Sequence, residues 1–70
     1  MTLYFLDSRG NKRPVKTGVT PETALKEISA YVEQINPKFK IYYTRLWYSE
    51  DYKGTMYDIG SHTEFFLLAE

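Results

Sequence analysis

Apolar residues alternate with a period of two near both ends of the chain. A single stretch between Thr20 and Ile35 has helical spacing, and turn residues separate these segments. Together these observations predict an α+β fold. The order read is β-β-α-β-β, extended by a fifth strand if the C-terminal run joins the sheet. The strands form an antiparallel sheet with one helix packed on one face, in a single domain spanning residues 1–70. At this length only about 60% of the unfolded chain's surface can be buried, so stability is expected to be modest. Aromatics make up 17% of the chain. Each ring buries roughly 150–250 Å², so few residues suffice for a core.

Thr2 to Asp7 is a short β-rich run. Asp7-Ser8-Arg9-Gly10-Asn11 has the composition of a turn, with Gly10 and Asn11 able to take positive φ. The second arm, Lys12 to Val19, is polar and carries Pro14, whose missing N–H assigns it to an edge strand. A helix is expected over roughly 21–35. Thr20 would be its N-cap, Pro21 its first residue, and Glu22 lies near the positive end of the dipole. Leu25, Ile28, Val32 and Ile35 form the predicted buried stripe, with Glu22, Lys26, Ser29 and Glu33 on the wet side. Asn36-Pro37 ends it, because the residue before proline avoids helical geometry.

From Phe39 the period changes to two. Phe39, Ile41, Tyr43 and Trp47 fall on one face and Tyr42, Thr44, Leu46 and Tyr48 on the other. Both faces are substantially apolar, which reads as a central strand. Glu50 to Gly54 supplies turn chemistry, and Thr55 to Ile59 returns antiparallel with Thr55, Tyr57 and Ile59 on one side. Gly60-Ser61-His62 breaks that strand, and Glu64 to Glu70 is a last β-rich run. The face opposite the helix is expected to lack a second layer.

Composition excludes several kinds of chemistry. Without cysteine and with His62 as the lone histidine, the sequence offers no ligand set for structural zinc, and no cofactor or metal is expected. The N-terminal apolar stretch, Leu3 to Leu6, is too short for a signal-peptide core or a membrane span, so a cytoplasmic location is expected. Nine Lys plus Arg balance nine Asp plus Glu, without the basic excess usual in duplex-binding domains. The charges are nonetheless polarised. Arg9, Lys12, Arg13 and Lys16 outnumber Asp7 in the first twenty positions, while Glu50, Asp51, Asp58, Glu64 and Glu70 outnumber Lys53 after Tyr48. Such poles suit orientation toward a protein partner.

Asp58, His62 and Glu64 are the one tight grouping of acid and imidazole, the pairing a general base would need. No nucleophile elbow, phosphate loop or metal spacing accompanies it. A loop in which Asp58 or Ser61 caps exposed N–H groups explains the same residues, so no catalytic residue is assigned and the chain is not expected to be an enzyme. The surplus of half-polar rings points instead to contact with a partner, since interfaces favour Tyr, Trp, Phe and Arg. Tyr42, Arg45, Trp47, Tyr48, Tyr52, Tyr57 and His62 are the candidate partner-binding residues, with Tyr42, Tyr48, Tyr52 and Tyr57 expected to be exposed. Single-stranded nucleic acid or nucleotides stacking on the same rings, with Arg45, Lys40 and the basic hairpin residues Arg9, Lys12, Arg13 and Lys16 supplying charge, form the alternative. A homodimer across the sheet's open face would use the rings in a third way.

The ending Tyr57-Asp58-Ile59-Gly60-Ser61-His62-Thr63-Glu64-Phe65-Phe66, preceded by Tyr42-Tyr43-Thr44-Arg45-Leu46-Trp47, resembles small uncharacterised phage- and prophage-encoded proteins of Gram-positive bacteria. The likeness covers the second half of the chain, and in the first half it extends to architecture alone. It implies a phage accessory protein in the bacterial cytoplasm that binds, redirects or inhibits a host or defence factor.

Overall fold

A computed structural model describes residues 1–38, 43–60 and 65–70. Five strands and one helix follow the order β1 (Thr2–Leu6), β2 (Lys12–Lys16), α1 (Ala24–Ile35), β3 (Arg45–Ser49), β4 (Gly54–Asp58) and β5 (Phe65–Ala69). All strand pairs are antiparallel, in one open sheet of spatial order β2-β1-β5-β4-β3. The α+β reading therefore holds, with the C-terminal run as a full fifth strand.

The placement of β3 differs from expectation. The sequence predicts a central strand from Phe39 onward, yet β3 is an edge strand, and the part of that run from 39 to 42 lies outside the described residues. β5 occupies the centre instead. Phe66, Leu67, Leu68 and Ala69 are buried on both faces, the environment an uninterrupted apolar strand requires. β3 carries the polar tips of Arg45, Trp47, Tyr48 and Ser49 and so tolerates water at an edge.

On one face Leu3, Ile28, Val32, Tyr57, Ile59, Phe66 and Leu68 enclose the main core. Phe5, Tyr31 and Phe66 meet there as an aromatic triangle with centroids 5.5–5.9 Å apart. Such tilted and edge-on contacts contribute about 0.5–1.5 kcal/mol each beyond area burial. The helix begins later than predicted. Thr23 N donates to Thr20 O at 3.1 Å and Thr20 N to Thr23 Oγ1 at 3.1 Å, so Thr20 heads a closed turn and α1 starts at Ala24. Its buried stripe is Ala24, Ile28 and Val32, whereas Leu25 and Ile35 are 42% and 61% exposed. Ala24 brings the helix close to the sheet. At 100° per residue, Leu25 is turned to the flank away from β2. The opposite flank is tied to β2 by Lys16 and Glu27, 2.6 Å apart, and by the hydrogen bond from Arg13 to the Tyr31 hydroxyl.

The second face of the sheet carries no further layer of helix or strand among the described residues, as expected, and is covered by the chain's own rings. Leu6, Met56, Leu67 and Ala69 are buried there beneath Tyr4, Tyr52 and Phe65. The Tyr52 hydroxyl donates to Gly10 O at 3.3 Å, so a side chain from the β3–β4 hairpin reaches the β1–β2 turn. That turn is closed by Asp7, whose Oδ1 accepts from Arg9 N and Asn11 N, and Gly10 takes φ +82° within it. Pro14 sits on the β2 edge as predicted. The register steps from Leu3↔Lys16 to Tyr4↔Pro14, leaving Val15 as a bulge that packs against the main core.

Gly54 is required for a steric reason. A Cβ there would lie 2.5 Å from Leu68 O and 2.8 Å from Ala69 Cβ. Gly54→Ala is expected to destabilise the fold by about 1–3 kcal/mol through overpacking against a central strand. A lowered urea midpoint at unchanged slope would register this, and an unchanged midpoint would show that the contact is slack.

Candidate interaction edge

β3 owes its geometry to β4. Its residues pair Arg45↔Asp58, Leu46↔Tyr57, Trp47↔Met56, Tyr48↔Thr55 and Ser49↔Gly54, and the turn between the strands places Lys53 at φ +57°. This alternation divides the strand. Leu46 and Tyr48 project to the helix side of the sheet, and Arg45, Trp47 and Ser49 to the other. No described strand lies beyond β3.

The helix does not reach over it. Leu46 is 53% exposed and Tyr48 60%, while Trp47 is 42% exposed even though its ring meets Phe65 edge-on at 6.0 Å. Tyr43, just before the strand, is 52% exposed and lies 3.5 Å from where a Cβ on Gly60 would stand. Leu25 on α1 is exposed as well, at 42%. Apolar surface thus continues on both faces around an unpaired edge, an unusual exposure for a chain this small.

Arg45 and Asp58 anchor the strand. Arg45 Nη2 lies 2.6 Å and Nε 3.2 Å from Asp58 Oδ2, and Asp58 Oδ1 accepts from Gly60 N at 3.0 Å. Asp58 is the buried charged residue among those described, whereas the Arg45 side chain is 69% exposed. The Arg45 hydrogen bond first, then that from Gly60 N, holds the Asp58 carboxyl below its ordinary pKa, and the same contact raises that of Arg45. The expectation that Asp58 caps backbone N–H groups is met at Gly60.

The predicted site residues separate into distinct environments. Trp47, Tyr48 and Arg45 lie together on the exposed edge. Tyr57, expected to be exposed, is 2% exposed and belongs to the core, because its place in β4 points it under the helix. Burial pushes its phenol pKa up. Tyr52, also expected to be exposed, is partly covered because it packs over the second core cluster and bonds to Gly10. Tyr42 and His62 lie outside the described residues, as does Glu64, so the Asp58-His62-Glu64 grouping has no geometry here. Leu46 and Tyr43, absent from the predicted site, are exposed, and so is Leu25, expected in the buried stripe of the helix. Their apolar character is the same as that of core residues, and their exposure follows from where the helix stops.

Elsewhere, a cleft of about 290 Å³ between β2 and α1 is lined by Val15, Lys16, Glu27, Ala30, Tyr31 and Gln34. Its two charges satisfy each other across the gap, which leaves few groups to converge on a ligand. No group of three or more potential metal ligands occurs among the described residues, and no helix among them is long and apolar enough to cross a membrane. No family model, curated protein or solved structure matches the chain.

The anchoring pair generates a pH signature. A carboxylate with a depressed folded pKa stabilises the fold fully above the unfolded value of about 4 and loses that contribution as pH falls through the folded value. Asp58→Asn should therefore be less stable than wild type at pH 7, with the gap narrowing progressively below about pH 4. Urea midpoints at a series of pH values would show this. Asp7, also depressed chiefly by the backbone bond from Asn11, acts in the same window, so an Asp7→Asn control is run in parallel. A gap independent of pH would mean that shape, and not charge, holds Asp58.

Proposed function

We propose that this chain is a non-enzymatic protein-interaction module whose contact surface is the β3 edge. The carrying observation is that Leu46, Trp47 and Tyr48 stand 42–60% exposed on both faces of a strand with an open side. Proteins normally blunt such an edge with charge or proline. The opposite edge is blunted in this way, by Lys12, Arg13, Pro14 and Lys16 in β2.

A protein partner is favoured over nucleic acid by where the cations go. Arg45 is bonded to Asp58, Lys12 lies 4.7 Å over the Tyr4 ring, Arg13 lies 5.4 Å over Phe5, and Lys16 is paired with Glu27. These groups are already engaged within the chain, while Glu50 and Asp51 flank the rings with negative charge. The resemblance to phage and prophage proteins adds a context in which the module acts in the bacterial cytoplasm on a host or defence factor.

Leu46→Lys and Tyr48→Lys place charges at half-exposed positions, so the thermal unfolding midpoint should stay within a few degrees of wild type. Tagged wild type, incubated with Gram-positive bacterial lysate, is expected to retain a defined protein, identified by mass spectrometry, that both variants lose. Retention of the same protein by correctly folded variants would remove β3 as the contact surface.

A further inference from the structure

We infer that the occupant of the β3 edge is a second copy of this chain, paired antiparallel through β3 about a two-fold axis centred on Trp47. This rests on the reading of β3 as a contact surface and names what that surface accepts.

The strand is complementary to itself. In a continuous sheet, opposed residues must share a face, so the axis has to pass through a residue and not between two. Centring on Trp47 matches all five residues of β3. Leu46 then meets Tyr48 of the second copy on the helix face, twice over, and Trp47 meets Trp47 on the other face. Arg45 meets Ser49, so no cation opposes a cation. Glu50 and Asp51, which follow Ser49, fall opposite Thr44 and Tyr43 of the second copy, so no carboxylate opposes a carboxylate. Centring on Tyr48 would instead set Leu46 against Glu50, and centring on Leu46 would leave Ser49 outside the paired strand.

The other edge determines that the assembly closes. Pairing β3 of one copy with β2 of the next would be head-to-tail and would propagate without limit. Pro14 lacks the N–H that such a ladder needs, and the bulge at Val15 interrupts its register. Only the isologous contact remains available, with both helices on the same side of the joined sheet. The exposed portions of Tyr43, Leu46, Trp47 and Tyr48 from two copies amount to on the order of 1,000 Å², so the area they can bury is at most the lower limit for a specific interface. The dimer should accordingly be reversible and concentration-dependent, and a host protein offering a matching strand would compete for the same edge.

The chain contains no cysteine, so single cysteines report register directly. Directly opposed residues in an antiparallel pair have Cα atoms about 4.5–5.5 Å apart, within disulfide reach, whereas diagonal neighbours fall beyond it. Trp47→Cys protein is expected to form a disulfide dimer under mild oxidation. Leu46→Cys mixed with Tyr48→Cys should cross-link at least tenfold faster than either variant alone. Sedimentation of the wild type should show a dimer fraction that rises with concentration, and Tyr48→Lys should shift the midpoint at least tenfold upward. A wild type that stays monomeric to millimolar concentration without cross-linking, or a dimer indifferent to Tyr48→Lys, overturns the proposal. A monomer whose capture of a lysate protein is abolished by Tyr48→Lys overturns self-pairing alone and leaves β3 as an edge for a foreign chain. Absence of both self-association and β3-dependent capture overturns the interaction reading as well.

Discussion

The pairing of Thr2–Leu6 with Phe65–Ala69 joins the two ends of the chain in the middle of the sheet. Each of the two hairpins, β1–β2 and β3–β4, offers only a narrow apolar surface, and a lone hairpin is at best marginally stable in water. β5 inserts between them and supplies Phe66 and Leu68 to one face and Leu67 and Ala69 to the other. Full burial of a Leu or Phe side chain contributes roughly 1.5–3 kcal/mol, so this one strand supplies a large share of what a small domain can gather. Closing a loop of nearly the whole chain costs entropy, but that cost grows only with the logarithm of loop length.

Central placement of the terminal strands sends β2 and β3 to the edges, and the two edges then differ in kind. The helix leaves near β2 and stays on that side, tied by Arg13 to Tyr31 and by Lys16 to Glu27. Its narrow stripe of Ala24, Ile28 and Val32 shares one core with Leu3 of β1, Phe66 and Leu68 of β5 and Tyr57 of β4, while Leu46 and Tyr48 of β3 stay exposed. The exposure of Leu46 and Tyr48 is therefore a geometric result of helix position. The cover over the second face, drawn from Tyr4, Tyr52 and Phe65, likewise ends where Trp47 begins.

Element types and their order were legible because each rests on a local rule. Pro14 identified an edge strand, Asn36-Pro37 ended the helix at Ile35, and Thr55, Tyr57 and Ile59 marked a face that does pack under the helix. What local rules could not rank was the burial of two strands that are both apolar on both faces. β5 has no side-chain polar atom within Phe65–Ala69, whereas β3 carries phenol, indole and guanidinium groups that can remain wet, and this contrast decides which strand lies inside. The same ambiguity misplaced Tyr57, since a phenol tolerates water without requiring it. Leu25 and Ile35 kept helical period with the core residues, and period alone does not say how far the sheet extends beneath a helix. Of the candidate site, Arg45, Trp47 and Tyr48 were readable from composition, but the open edge that groups them with Leu46 is a property of topology.

Asp58 shows how firmly that edge is set. One of its oxygens accepts from Nε and Nη2 of Arg45, and the other from the N–H of Gly60, so a single buried carboxylate ties the start of β3 to the backbone just after β4. A buried carboxylate costs desolvation, and apolar residues of similar volume usually stabilise as well or better. What the pair supplies is position, because it holds an otherwise half-supported strand in register with its rings outward. The chain demonstrates in β2 that it can close an edge with lysine, arginine and proline. Retaining Leu46, Trp47 and Tyr48 on β3, and pinning that strand with an ion pair, is the arrangement expected of a surface kept in register for another strand.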